Sequence, residues 1–470
     1  MIGRRSVTIF GLAVACTLPL AACGGSDGER ASEPVPPGVA GAAPSGPAAD
    51  VIPQVPVPSE TTPSPDVPEQ QQTSPMEIER ASARPSRRGR WPATLQIGLI
   101  DPEDHAAGLR ESAPFGVRWH YLSGGAATGS SWTTWRNGGG SFATAYSEES
   151  RAAKTIPFFS YYVLQETPPA SRRSAEPDKV ADGLSNPLVV RRVVTDIRQA
   201  LQRLGQAGGP AVLQIEPDMW GYLQQRFGDD ASNSPVRLKG SSRFAKGLSN
   251  DLRGFARLVT RIRDAEAPNV LLAYPVSIFG THKDIKGSRP DAAELDTMVQ
   301  RSVRFWRSAG SPFDLMTFEH ANRNAGYQIK VDGVASEDAR WTNEDHQRHL
   351  SYVRGVLAAS KRPGVLWQVP PGNTVRPEMD DTPGHYTDDK VQTLLGRKGR
   401  PLLRSYRDAG VVMVLFGSAF PSDTCACVRR DEYARADGEH DDGGYLAAQV
   451  RSYVKDGPLK VRRVPKRINK

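Results

Sequence analysis

Two stretches of the chain carry carboxylates in a pattern suited to acid and base work. In Ala211–Asp218 (AVLQIEPD), strand-like alternation puts Gln214, Glu216 and Asp218 on one face and Leu213 and Ile215 on the other. In Phe313–His320 (FDLMTFEH), the same rule sets Thr317 and Glu319 against Met316 and Phe318. The apolar faces seek a core, so the polar faces must line a cavity. A carboxylate on such a face is costly unless it is paired or used. Aromatic residues accompany both stretches: Tyr161, Tyr162, Trp220, Tyr222, Tyr274 and Trp367. Paired carboxyls between aromatic walls suit glycosidic cleavage, in which one protonates the leaving oxygen and the other attacks the anomeric carbon or activates water. Glu216 is the expected general acid, because Pro217, Trp220 and Tyr222 give it an apolar setting that raises a carboxyl pKa. Glu319, beside His320 and Arg323, is expected to stay ionised as nucleophile or base, with Asp218 orienting one of the two. The structural alternative is an ion-pair plug in which Arg118 or Arg323 neutralises these carboxylates.

The elements that must position these residues are legible as repeats. Eight apolar runs recur: Leu95–Asp101, Gly116–Tyr121, Ile156–Leu164, Ala211–Asp218, Val270–Ser277, Phe313–His320, Gly364–Pro370 and Val411–Gly417. Helical periodicity fills most of the gaps, as in Val189–Leu204, Leu252–Ala265, Leu295–Trp306, His349–Ala358 and Val391–Tyr406. Gly205, Gly310, Gly364 and Gly410 close or follow helices. Alternating β and α units of this number predict an α/β fold, a (β/α)8 barrel, whose chemistry gathers at the carboxyl ends of the strands. A doubly wound open sheet is the competitor, but no G-x-G-x-x-G follows the first run. The strand ends supply the expected substrate-binding set: Asp101, His120, Tyr121, Tyr161, Tyr162, Trp220, Tyr274, Trp367 and Gln368, with Asn373 and His385 beyond strand seven.

Four motifs carry a resemblance. Glu216-Pro217-Asp218-Met219-Trp220-Gly221-Tyr222, Trp367-Gln368-Val369-Pro370, Gly384-His385-Tyr386 and Asp442-Gly443-Gly444-Tyr445 together resemble a group of secreted bacterial glycoside-hydrolase-like barrel lipoproteins whose substrate is not established. The similarity spans most of 93–450. More loosely the chain resembles the large retaining clan of barrel glycosidases, whose strand-four motif is Asn-Glu-Pro. Glu216-Pro217 matches two of those three residues. Ile215 stands in place of the Asn, and Gln368 ends strand seven where that clan has a nucleophilic Glu, so a nucleophile would have to be Asp218 or Glu319. The resemblance implies a glycoside hydrolase acting on a poly- or oligosaccharide. A non-catalytic carbohydrate-binding lipoprotein on the same scaffold is the first alternative.

Histidines offer rival chemistry, a metal-dependent hydrolase using His282, His320 and His385 with Asp284 and Asp388. None of them shows His-x-His or HExxH spacing, so the expectation is no metal and no cofactor.

The rest of the chain speaks to location. Met1–Cys23 has arginines at 4 and 5, an apolar run from Val7 to Leu20, and Leu20-Ala21-Ala22-Cys23, which resembles a lipobox. The expected domains are a lipoprotein signal over 1–23, a disordered linker over 24–92, the barrel over 93–455 and a basic tail over 456–470. The linker holds fourteen of the 38 prolines and cannot bury enough apolar surface to fold. Acylation at Cys23 would anchor the barrel to a membrane without a spanning helix, in the cell envelope and on the outer membrane of a Gram-negative cell. Cys425 and Cys427 are the remaining candidates for a small local disulfide. The net charge of +8 comes from basic residues scattered among acidic ones, which argues against nucleic acid. The expected partners are a carbohydrate and the lipid surface, and the expected state is a monomer.

Overall fold

Each of the eight apolar runs forms a strand that is buried along nearly its whole length: β1 (Gln96–Ile100), β2 (Val117–Ser123), β3 (Ile156–Tyr162), β4 (Ala211–Ile215), β5 (Val270–Pro275), β6 (Leu315–Glu319), β7 (Gly364–Val369) and β8 (Val411–Phe416). The structure, a computed structural model, describes residues 91–173, 175–320, 323–372, 377, 380–381, 385–417, 444–462 and 464–465. Cys23, residues 24–90 of the expected linker, Asn373, Cys425 and Cys427 lie outside the described residues, whereas Trp91 and Pro92, placed at the end of that linker, are described. The strands pair in parallel in chain order, and β1 pairs with β8 to close the barrel. The expected (β/α)8 architecture is the observed one.

Strand parity sorts the core into two layers. Trp119, Phe158, Val212, Leu271, Leu315, Val365 and Leu415 fill the barrel interior. The alternate residues, such as Phe159, Leu213, Leu272, Met316 and Leu366, pack outward against the helices. The helix Pro187–Ala207 shows why the outer layer forms. Asn186 accepts hydrogen bonds from the Leu188 and Val189 N–H groups, Pro187 opens the first turn, and Val190, Val193, Val194, Ile197, Leu201 and Leu204 form one buried stripe. Gly205 does not end this helix, which runs on to Ala207. A Cβ there would lie 2.2 Å from the carbonyl oxygen of Glu266, so Gly205 lets two helices touch.

The expected helix over 391–406 is two, Lys390–Leu394 and Arg400–Ala409. Between them the chain turns so tightly that a Cβ at Gly399 would fall 2.1 Å from the Thr393 carbonyl oxygen. The segment after Lys455 is more than a charged tail. The Leu95 N–H donates to the Leu459 carbonyl at 2.8 Å, the Val461 N–H donates to that of Ala93 at 2.9 Å, and Trp91, Val461 and Val464 pack on the interior cluster. The domain therefore extends to Val464, and these residues stop the amino-terminal end of the barrel.

Candidate active site

At the carboxyl end, parity decides which members of the expected set meet. Continuing the inner face of each strand brings Tyr121, Tyr162, Glu319 and Trp367 to one mouth. Beneath them Ser160 Oγ donates to Gln214 Oε1 (2.6 Å), and Gln214 Nε2 donates to Thr317 Oγ1 (2.7 Å). This polar floor ties β3 and β4 to β6; on β5 the residue in register with Gln214 is the short Ala273. Gln368 joins the mouth from a left-handed backbone (φ +53) and donates from Nε2 to the Tyr121 hydroxyl at 2.6 Å.

Asp218 opens the helix Met219–Phe227 and stands half-buried near the half-buried Glu319. Two residues outside the expected set complete the cluster. Gln165 donates to the Tyr162 hydroxyl at 2.8 Å, and that hydroxyl bonds Asp218. Glu176 accepts the Tyr222 hydroxyl and adds its charge beside Asp218. Gln165 and Glu176 come from the long β3–β4 excursion, where neither periodicity nor a motif distinguishes them from ordinary surface residues. Burial pushes the Glu319 carboxyl up to about 8, with the Asp218 charge adding to it. Burial pushes Asp218 up to about 7, Glu176 raises it further, and the Tyr162 bond opposes the rise.

Glu216 is placed differently from the expectation. Its backbone is left-handed (φ +48), so the alternation along β4 stops at Ile215. Its Oε1 accepts the Val163 and Leu164 N–H groups, both at 3.0 Å, and only 1% of the residue is exposed. Burial pushes it up to about 8 against the pull of those two bonds. It secures the chain leaving β3, which carries Tyr162 and Gln165. The cations expected to keep Glu319 ionised are turned elsewhere. Arg323 pairs with Asp332, and His320, stacked on Trp341, is held neutral by burial, its pKa well below the usual value.

The remaining members of the expected set lie away from the mouth. Tyr161, Trp220 and Tyr274 belong to the layer between strands and helices, since each sits at an outward position or on a helix packed there. His120 faces outward beside Trp135, Phe142 and Tyr146. Asp101 binds His105 Nδ1 at 2.6 Å and also Arg118, whose guanidinium reaches Glu149, Ser150 Oγ and the Pro102 carbonyl. The alternative of an ion-pair plug is not what the structure shows: Arg118 pairs with Asp101 and Glu149 behind β1 and β2, Arg323 pairs with Asp332, and among the described residues neither Glu216 nor Glu319 enters an ion pair. His385 is buried in the loop after β7 and His282 is exposed. Among the described residues no group of three His, Cys, Asp or Glu is arranged to hold a metal, so the histidine trio does not assemble there.

Raised carboxyl pKa values make a stability prediction. Glu319 titrates higher in the folded protein than in the unfolded chain, so the folded state holds the extra proton between about pH 4 and 8, and its stabilising effect is lost as pH rises through that window. The buried neutral His346 and His349 act in the opposite direction below about pH 6.5. A difference measurement separates them. The Tm of Glu319→Gln minus that of the parent should grow from pH 5 to pH 8; a flat difference would show that Glu319 titrates normally.

Neither a protein-family model nor a curated protein matches the chain. Among solved structures it is similar to a β-glucosidase at 13% identity and TM-score 0.40, over 74% of this chain and 87% of that one. It is similar to a Cellulomonas fimi endo-β-1,4-mannanase at 10% identity and TM-score 0.44, over 80% of this chain and 74% of the other. The catalytic domain of a Bacillus sp. JAMB-750 endo-β-1,4-mannanase gives 10% identity and TM-score 0.43, over 80% and 89% of the two chains.

Proposed function

We propose that the protein is a glycoside hydrolase acting on a poly- or oligosaccharide, with Asp218 and Glu319 as its working pair. The observation that supports this reading is the meeting of the two half-buried carboxyls at the mouth, from the ends of β4 and β6, beside Tyr121, Tyr162 and Trp367. Two carboxyls in mutual electrostatic reach give up their protons in separate steps, so over a range of pH one is protonated while the other is charged. Glu319 holds its proton to the higher pH and is assigned to the leaving oxygen. Asp218, bonded by the Tyr162 hydroxyl, acts on the anomeric carbon or on a water beside it. Glu216 is a positioning residue in this scheme, acting through the backbone of Val163 and Leu164.

The pH profile of kcat/KM on a panel of oligosaccharides tests the reading. A bell with limbs set by the pair is expected, and both limbs should change in Asp218→Asn. Saturable glycan binding with no turnover by the parent protein would overturn the catalytic reading in favour of a binding lipoprotein.

For the location we propose a lipid-anchored protein of the cell envelope. The Leu20–Cys23 motif supports acylation at Cys23 and display of the barrel outside the cytoplasm. Cys23→Ser should move the protein from the membrane fraction to the soluble one, and unchanged fractionation would remove the anchor from the account.

A further inference from the structure

A second cavity opens at the other end of the barrel. Its volume is about 340 Å³, and it is bounded by the helix Leu252–Glu266, the residues just before β6 and Arg362 just before β7. Phe313 and Asp314 precede the five-residue strand that ends in Glu319, so the cavity and the mouth are separated by the length of β6, ~16 Å. Four arginines line it: Arg257, Arg261, Arg263 and Arg362.

Only one of the four is neutralised. Arg263 is buried and paired with Asp264 and Asp314. Among the described residues no ion pair engages Arg257, Arg261 or Arg362. Arg261 donates only to the backbone carbonyls of Phe244 and Lys246, and Arg362 Nη2 only to that of Ser311 at 3.3 Å. Arg362 also lies over the Trp306 ring, and its Nε is buried with no acceptor. Arg257 and Arg261 are one helical turn apart, a like-charge spacing that is unfavourable by itself. Gly310 and Ser311, both left-handed (φ +91 and +52), turn the chain at the rim and leave room beside Arg257. The buried Arg362 Nε lacks an acceptor, and the exposed Arg257 and Arg261 have no carboxylate partner among the described residues, so the cavity suits an anionic acceptor. Guanidinium forks match the tetrahedral oxygens of phosphate, and the cavity has room for an attached organic body.

We infer that this cavity is a binding site for a phosphate ester, a phosphoryl group carried on a glycerol- or sugar-sized body. The site is independent of the Asp218–Glu319 pair. Its ligand is either a soluble ester or the headgroup of an anionic lipid, since both offer the same oxyanion.

The test is calorimetric titration of the full chain with sn-glycerol 3-phosphate and with inorganic phosphate, alongside Arg257→Ala, Arg257→Lys, Arg362→Gln and Glu319→Gln. Saturable binding is expected, weakened about tenfold or more by Arg257→Ala, partly retained by Arg257→Lys and unchanged by Glu319→Gln. Arg257 is exposed, so its variants should fold even if Arg362→Gln does not. Co-sedimentation of the Cys23→Ser chain with phosphatidylglycerol vesicles, lost in Arg257→Ala, would support the site with a lipid headgroup as its ligand. Binding of glycerol phosphate without vesicle binding would support it with a soluble ester. Absence of saturable binding to all three probes, or binding indifferent to Arg257→Ala, would overturn the proposal.

Discussion

Glu319→Gln should lower kcat on an unactivated oligosaccharide by roughly 10²–10⁴-fold, the usual worth of a positioned general acid. The amide keeps the size and the hydrogen-bonding shape of the side chain at the end of β6 but has no proton to give. An aryl glycoside with a good leaving group needs little protonation, so its cleavage should suffer far less. Asp218→Asn should damage both substrates alike, because the partner acts at the anomeric centre whatever the leaving group. Glu216→Gln gives the third arm. Its amide oxygen can still accept from Val163 and Leu164, so a modest loss is expected, and a loss as deep as that of Glu319→Gln would return the acid role to Glu216. If Glu319→Gln leaves both substrates untouched, the pair is wrong.

The largest expected effect on stability comes from Arg118→Met. Arg118 has no exposed surface and binds Asp101 and Glu149, Ser150 Oγ and the Pro102 carbonyl, while its guanidinium lies 4.2 Å from the centre of the Tyr146 ring. Removing the cation leaves Asp101 buried with only His105 opposite. Breaking a buried pair from one side costs about 3–5 kcal/mol, so Tm should fall by several degrees. Adding Asp101→Asn should recover part of that loss, because the stranded charge goes with it. Chemical denaturation of the two single variants and the double variant measures the coupling. Strict additivity would mean that the network behind β1 and β2 contributes through packing alone. The mouth lies on the other face of these strands, so activity per folded molecule should change little.

Much of the architecture was legible because hydrophobic periodicity is a local property. Runs such as VLLAYP and VVMVLF, short and rich in β-branched residues or aromatics, read as buried strands, and the stripe in Val189–Leu204 read as a buried helix face. Parity along β6 also read correctly: Thr317 and Glu319 share the interior, as alternation requires. The adjacent pairs were harder. His120 and Tyr121, or Tyr161 and Tyr162, are equally polar-aromatic neighbours at a strand end. Only the register of the closed barrel decides which of each pair meets the mouth and which packs under a helix. At Glu216 alternation itself fails, because one left-handed residue ends the strand and redirects the side chain.

By itself the sequence determined an eight-unit barrel and a short set of carboxylates and aromatics at strand ends. Those follow from periods of 2 and 3.6 residues and from composition, which act between near neighbours. The tertiary structure decided the rest: the meeting of Asp218 with Glu319 a hundred residues later, the arrival of Gln165 and Glu176 from an excursion without a motif, and the retirement of Asp101 into an ion pair with Arg118. It also gave Glu319 a raised proton affinity where the sequence neighbours suggested a lowered one. A carboxyl's proton affinity depends on burial and on the charges within a few ångströms, and neighbours in sequence such as Arg323 and His320 do not count when their side chains face elsewhere.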